Sequence, residues 1–144
     1  MAERDDLVFG DSLALARRSW VRALKEGLAQ QGYPDYRRSD ALAMRFFAAG
    51  SFSVGEFAQF TDTSRQASRR AIDTLVERGY LEIRIDGDDA RRRLVHLTEE
   101  GRRYARAILT TVRSLNADVT SAITPEDLRN AVAVLTYVRD NIRW

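Results

Sequence analysis

Residues 63–97 read TSRQASRRAIDTLVERGYLEIRIDGDDARRRLVHL, and this stretch decides the fold. At 100° per residue, Ala67, Ala71, Ile72, Leu75 and Val76 gather on one side of a helix, with Gln66, Arg69, Arg70, Asp73 and Glu77 on the other. Thr63-Ser64-Arg65-Gln66 has the form of a capping box, a hydroxyl at the N-cap and Gln at the third helical position. A helix over residues 64–78 is therefore expected, closed by Gly79. Glu82–Ile85 and Arg93–Leu97 alternate with period two, and the polar turn Asp86-Gly87-Asp88-Asp89-Ala90-Arg91 makes them a hairpin.

Outward from this unit the chain reads as helix. Upstream, Ala16, Trp20, Ala23, Leu24, Gly27 and Leu28 recur at helical spacing until Gly32 and Pro34, so a long first helix is expected from about Asp11 to Gln31. Tyr33–Ser39 reads as a linker. Asp40–Ala49 reads as a helix with Leu42, Phe46 and Phe47 inward, and Ser53 caps a short helix containing Glu56, Phe57, Ala58 and Phe60. Downstream, Thr98 caps a long helix with Tyr104, Ile108, Val112, Leu115 and Val119 at seam spacing. Thr124-Pro125-Glu126-Asp127 opens a last helix with a cap, proline at the first position and acids in the first turn; its stripe is Leu128, Val132, Leu135, Val138 and Ile142.

The expected fold is mainly α with a small β-hairpin wing: a winged helix-turn-helix with long N- and C-terminal helices. A chain of 144 residues, 44% hydrophobic, suits one domain spanning 1–144. Residues 40–97 form the winged unit and segments 7–31 and 98–142 are dimerisation helices. The winged unit offers too little surface to cover three long apolar stripes, whereas a second copy of the chain would cover them. Two-fold symmetry would then set the two central helices about one DNA turn, roughly 34 Å, apart.

The chemistry of the central unit suits double-stranded DNA. A helix fits the major groove, where the long planar groups of Arg65, Gln66, Arg69 and Arg70 match guanine and adenine edges. Thr63 and Ser64 stand beside free backbone N–H groups at the helix start, a place for a phosphate. On the hairpin, Arg91 lies at the tip beside Asp89, and a turn-spanning ion pair between them would hold the tip upright while Arg91 and Arg92 approach the minor groove or the backbone. Pairs such as Arg69 with Asp73, or Arg70 with Glu77, also describe an ordinary solvated helix face. Only Lys25 is lysine among 23 basic residues, a bias that suits phosphate and guanine but also follows from gene base composition. The net charge is only +2, and seven acids between Asp62 and Asp89 dilute the basic surface, so a winged helix that docks on protein and never reads DNA stays open as an alternative.

Other classes of function find less support. With no cysteine, disulfides, thiolate metal sites and thiol redox sensing are excluded. His96, the only histidine, has no second histidine to complete a metal site, no Gly-rich loop follows a strand, and no nucleophile–base–orienter set is present. No catalytic residue, metal or cofactor is expected. The acidic start Met1-Ala2-Glu3-Arg4-Asp5-Asp6 lacks the apolar stretch of a leader, and no run approaches the roughly 20 apolar residues of a membrane span. The expected location is the cytoplasm, on the nucleoid when bound to DNA.

The run Ser53-Val54-Gly55-Glu56-Phe57-Ala58, then Ser64 through Leu81, then Asp86-Gly87-Asp88-Asp89-Ala90-Arg91 and Leu97-Thr98-Glu99-Glu100-Gly101, resembles the MarR-type bacterial transcription regulators. The most specific parts are the helix ending Leu75–Gly79 and the run carrying Asp89, Arg91 and Leu97-Thr98. The resemblance implies an obligate homodimer on a pseudo-palindromic operator, a repressor or activator often relieved by a small aromatic or lipophilic effector. Departures from the pattern are Gly87 where proline is frequent, Ser68 where an apolar residue is common, and a turn Phe60-Thr61-Asp62-Thr63 without glycine. For the effector, Trp20, Tyr33, Tyr36, Phe46 and Phe47 are candidates to line a crevice, with Arg17 or Arg45 meeting an anionic group; such aromatics also serve as plain core. A small-molecule sensor or enzyme centred on that crevice is the remaining alternative.

Overall fold

In the computed structural model residues 2–142 are described. Met1, Arg143 and Trp144, part of the 1–144 span expected as one domain, lie outside them. The elements run α1 (Ala2–Gln30), α2 (Asp40–Ala48), α3 (Val54–Thr61), α4 (Arg65–Glu77), β1 (Leu81–Ile85), β2 (Arg93–Leu97), α5 (Glu99–Ala122) and α6 (Pro125–Asn141). This is the mainly helical winged helix-turn-helix expected. Helix α1 begins well before Asp11, because apolar periodicity marks only the stretch that packs, while the residues before it need only helix propensity. It ends where Gly32 takes φ +91° and the Tyr33 N–H returns to the Leu28 carbonyl at 2.9 Å.

The chain divides into two compact units, residues 1–111 and 112–144. In the first, Leu28 of α1, Met44 of α2, Ile72 and Leu75 of α4, Leu81 and Val95 of the hairpin, and Tyr104 and Ile108 of α5 are fully buried. Burying each such side chain contributes about 1.5–3 kcal/mol. The hairpin is antiparallel, pairing Leu81 with Leu97, Ile83 with Val95 and Ile85 with Arg93. Phe52 adds an isolated bridge to Val95, whose N–H reaches the Phe52 carbonyl at 2.8 Å, so the base of the hairpin is stitched to the segment entering α3.

In the second unit α6 starts as its sequence dictates. Thr124 Oγ1 accepts the Asp127 N–H at 3.1 Å and Pro125 occupies the first turn. None of its side chains is buried, and Val132, Val134, Leu135, Tyr137 and Ile142 are exposed. Among the described residues no helix is long and apolar enough to cross a membrane.

Candidate nucleic-acid interface

Two caps position the helix-turn-helix. Ser53 Oγ accepts the Glu56 N–H at 3.2 Å while a Glu56 carboxylate oxygen accepts the Ser53 N–H at 2.7 Å, a complete capping box at the start of α3. That N–H is the main cause holding the Glu56 carboxyl below its ordinary range, against the effect of desolvation and with help from Arg92. At the start of α4 the cap is Ser64, whose Oγ accepts the Ala67 N–H at 3.1 Å. The capping box expected at Thr63 and Gln66 does not form; a simple cap stands one residue later, where Ala67 has no side chain to return a bond. Thr63 Oγ1 instead bonds Thr61 Oγ1 and Ser68 Oγ, both at 2.8 Å. In the turn between the helices Asp62 adopts φ 51°, a left-handed position that aspartate tolerates and glycine fills more often.

Helix α4 buries Ser68, Ile72 and Leu75, residues four and three apart. Ala67, expected inward, is exposed, and Ser68 takes the buried place because its hydroxyl is satisfied by Thr63. Arg65, Gln66, Arg69 and Arg70 are all exposed on the first two turns. Arg69 Nε bonds Asp73 Oδ1 at 2.9 Å, an exposed pair of the i, i+4 type. The Arg65 guanidinium lies over Gly55 of α3, where a β-carbon would come within 3.2 Å of Nη2.

The hairpin tip is held by its own backbone. The Asp86 N–H reaches the Arg92 carbonyl at 2.8 Å and the Arg92 N–H reaches the Asp89 carbonyl at 2.9 Å. Asp89 Oδ1 accepts the Arg91 N–H at 2.9 Å, so the Asp89–Arg91 link runs through the main chain of Arg91 in place of the side-chain ion pair expected from sequence. Arg91 stays exposed at the tip. Arg92 turns back, and its Nη2 lies 3.0 and 2.9 Å from the two Glu56 carboxylate oxygens.

The far end of α4 is fixed by a cluster that sequence reasoning missed. Asp40, 2% exposed, takes Arg78 Nη1 at 3.0 Å on Oδ1, and on Oδ2 the Tyr104 hydroxyl at 2.7 Å and the Arg37 N–H at 2.9 Å. Arg78 also bonds Asp35 through Nε at 3.0 Å and lies over the Tyr80 ring at 5.1 Å. Burial opposes the Arg78 charge, and the Asp40 and Asp35 carboxylates outweigh it and raise its pKa. The Tyr80 phenol is pushed up to about 12, first by burial and then by Asp35, and that of Tyr104 also rises, through burial and its bond to Asp40.

Of the seven residues expected to form one effector crevice, Arg45 and Phe47 line one cavity and the others lie elsewhere. Tyr33 packs on Tyr104 with ring centroids 4.7 Å apart, and Tyr36 is core. Phe46 joins Phe47, Phe52, Phe57 and Phe60 in an aromatic cluster. Trp20 is half-buried on α1. Arg45 lines a cavity of about 490 Å³ with Ser51, His96, Arg102 and Arg106, and Arg17 lines a different one of about 460 Å³ with Arg38 and Phe57. Nδ1 of His96 lies 2.7 Å from Ser51 Oγ. Among the described residues no group of three or more His, Cys, Asp or Glu is placed to hold a metal.

Residues 36–92, which span α2 through the hairpin tip, match the MarR family model. This winged unit is of the MarR family. The whole chain has the fold of MarR-family transcriptional regulators, as its likeness to solved structures shows. One is a probable transcriptional regulator from Pseudomonas aeruginosa, with a TM-score of 0.72 and 18% identity over 90% of this chain and 96% of that one. A mutant MarR from E. coli complexed with operator DNA gives 0.72 and 21% identity over 93% and 95%. Staphylococcus aureus MarR in complex with salicylate and kanamycin gives 0.73 and 15% identity over 94% and 90%. No curated protein sequence matches this chain.

Proposed function

We propose that this chain is a sequence-specific transcriptional regulator of the MarR kind that binds double-stranded DNA as a homodimer on a pseudo-palindromic operator and acts as a repressor. The observation that carries the proposal is the exposed row of Arg65, Gln66, Arg69 and Arg70 on the first two turns of α4, beside a hairpin whose tip presents Arg91. On this reading α4 enters the major groove, Thr63 and Ser64 stand near a phosphate, and Asp89 holds the tip from which Arg91 reaches the minor groove. An exposed ion pair such as Arg69–Asp73 costs under about 1 kcal/mol to open, so it does not compete seriously with a guanine edge. E. coli MarR bound to operator DNA supports the same assignment by likeness of fold. The homodimer accounts for an α6 that buries none of its own side chains, since so many exposed apolar residues on one helix suit a second chain.

The proposal extends to a small aromatic or lipophilic effector carrying an anionic group. The cavity beside Arg45 supports this, because its lining includes Arg102, Arg106 and His96 and no carboxylate, and its volume of about 490 Å³ falls in the range of ligand sites. Selection of random duplex DNA by the purified protein at about 150 mM salt, with sequencing and the mass of the complex, tests the DNA reading. An inverted repeat with half-sites roughly ten base pairs apart, bound by two chains, is the expected result. Binding no tighter than to a charge-matched control overturns it in favour of a protein-docking winged helix. Failure of salicylate and related aromatic acids to release the selected duplex removes the effector arm alone.

A further inference from the structure

We propose that Arg92 and Glu56 form a clamp that fixes the hairpin against α3, so that Arg92 positions the wing and does not contact phosphate. Of the three consecutive arginines at the hairpin, all exposed, only the middle one has its guanidinium turned toward α3 among the described residues. Its Nη2 lies 3.0 and 2.9 Å from the Glu56 oxygens, and its Nη1 lies 3.9 Å from Asp86 Oδ2. Among the described residues the guanidinium groups of Arg91 and Arg93 meet no carboxylate, and both residues are exposed. The partner carboxylate is itself immobilised, because Glu56 Oε2 accepts the Ser53 N–H at 2.7 Å in the capping box of α3. The main chain of Arg92 is fixed too, by its N–H on the Asp89 carbonyl and its carbonyl on the Asp86 N–H.

The clamp joins two points 36 residues apart, and it acts beside the Val95–Phe52 and His96–Ser51 hydrogen bonds, which also stitch the hairpin to the segment entering α3. Together they set the angle between the hairpin and the α3–α4 pair. A guanidinium neutralised by a carboxylate at hydrogen-bond distance offers a phosphate little net charge. Arg92, although part of the arginine run, therefore differs in role from Arg91. The inference rests on the DNA reading proposed above.

The sign of one substitution separates the two roles. Glu56→Gln keeps the capping box, since Gln also accepts at that position, but removes a negative charge next to the DNA. If Arg92 were a phosphate contact, freeing it from Glu56 would tighten binding to the selected duplex. The clamp instead predicts that Glu56→Gln and Arg92→Gln each weaken it about three- to fivefold, and that the double variant is no weaker than either single one. Thermal midpoints at one protein concentration should stay within about 2 °C of the parent, because an exposed pair adds little stability. Arg91→Ala serves as the control, expected to weaken binding and reduce its salt dependence. A protein that binds DNA, weakens with Arg91→Ala and tightens with Glu56→Gln overturns the clamp alone. One for which Arg91→Ala changes nothing and no duplex outcompetes a charge-matched control loses the clamp and the DNA reading together.

Discussion

Replacing Gly101 with alanine sets two effects of opposite sign against each other. Gly101 lies in the first turn of α5, and on helix propensity alone the change to alanine stabilises by up to about 1 kcal/mol. The structure points the other way. A β-carbon at Gly101 would stand 2.9 Å from the Tyr80 carbonyl carbon and nearer still to its oxygen, both of them backbone atoms that cannot rotate aside. Ordinary carbon–carbon contacts are about 3.5–4.0 Å, so the α5 start and the Gly79–Leu81 segment would have to part by close to an ångström. That junction is held by the Thr98 N–H on the Tyr80 carbonyl at 3.1 Å and by the Thr98 hydroxyl on the Gly79 carbonyl at 2.6 Å. Losing both costs about 2 kcal/mol, and overpacking adds about 1–3 kcal/mol. After the propensity gain a net loss of about 2–4 kcal/mol remains, a fall in melting temperature of roughly 6–14 °C for a chain of this size. Thermal and urea unfolding of parent and Gly101→Ala at equal concentration measure it. A variant as stable as the parent, or more so, would refute the close approach of Gly101 to Tyr80.

Asp40→Asn should cost about 3 kcal/mol, because it leaves the Arg78 guanidinium, largely buried, with Asp35 alone; equal urea midpoints would show that the Asp40 pair contributes nothing. Ser64→Ala should cost about 1 kcal/mol through the lost N-cap, whereas a cap at Thr63 predicts no effect at Ser64. Alkaline stability should fall in a defined window. The Tyr80 phenol is raised to about 12 in the folded chain against about 10 unfolded, so the fold favours the neutral phenol. Its contribution is complete below pH 10 and is lost as pH climbs through about 12, and Tyr80→Phe should flatten that part of the profile measured by urea unfolding.

What the sequence revealed was local. The caps at Ser53 and at Thr124, the latter with Pro125 and Asp127, act within one helical turn, so spacing alone located them; the returning bond from Glu56 to Ser53 came only with the structure. The α4 cap was misplaced by one residue because Thr63 and Ser64 both carry the required hydroxyl, and only packing reveals that Thr63 is occupied by Ser68. Asp40 reads as an acid in a first helical turn, which explains it without any partner; Arg78 and Tyr104 reach it from 38 and 64 residues away. Likewise no periodicity links Arg92 to Glu56. For Tyr33 and Phe46, hydropathy says only that they turn inward, and says nothing about which of two aromatic groups each joins.

The long reach of the Asp40 cluster bears on the order in which the chain acquires its shape. Helical turns and the hairpin close over short loops on microsecond timescales, while joining groups separated by 38 and 64 residues requires the entropy of much larger loops to be lost first. A carboxylate cannot leave water cheaply before its partners arrive, so Asp40 is expected to be desolvated late, after the rate-limiting barrier. Substitutions there should accelerate unfolding and leave the refolding rate almost unchanged, a low φ-value at the point where three distant segments are finally locked.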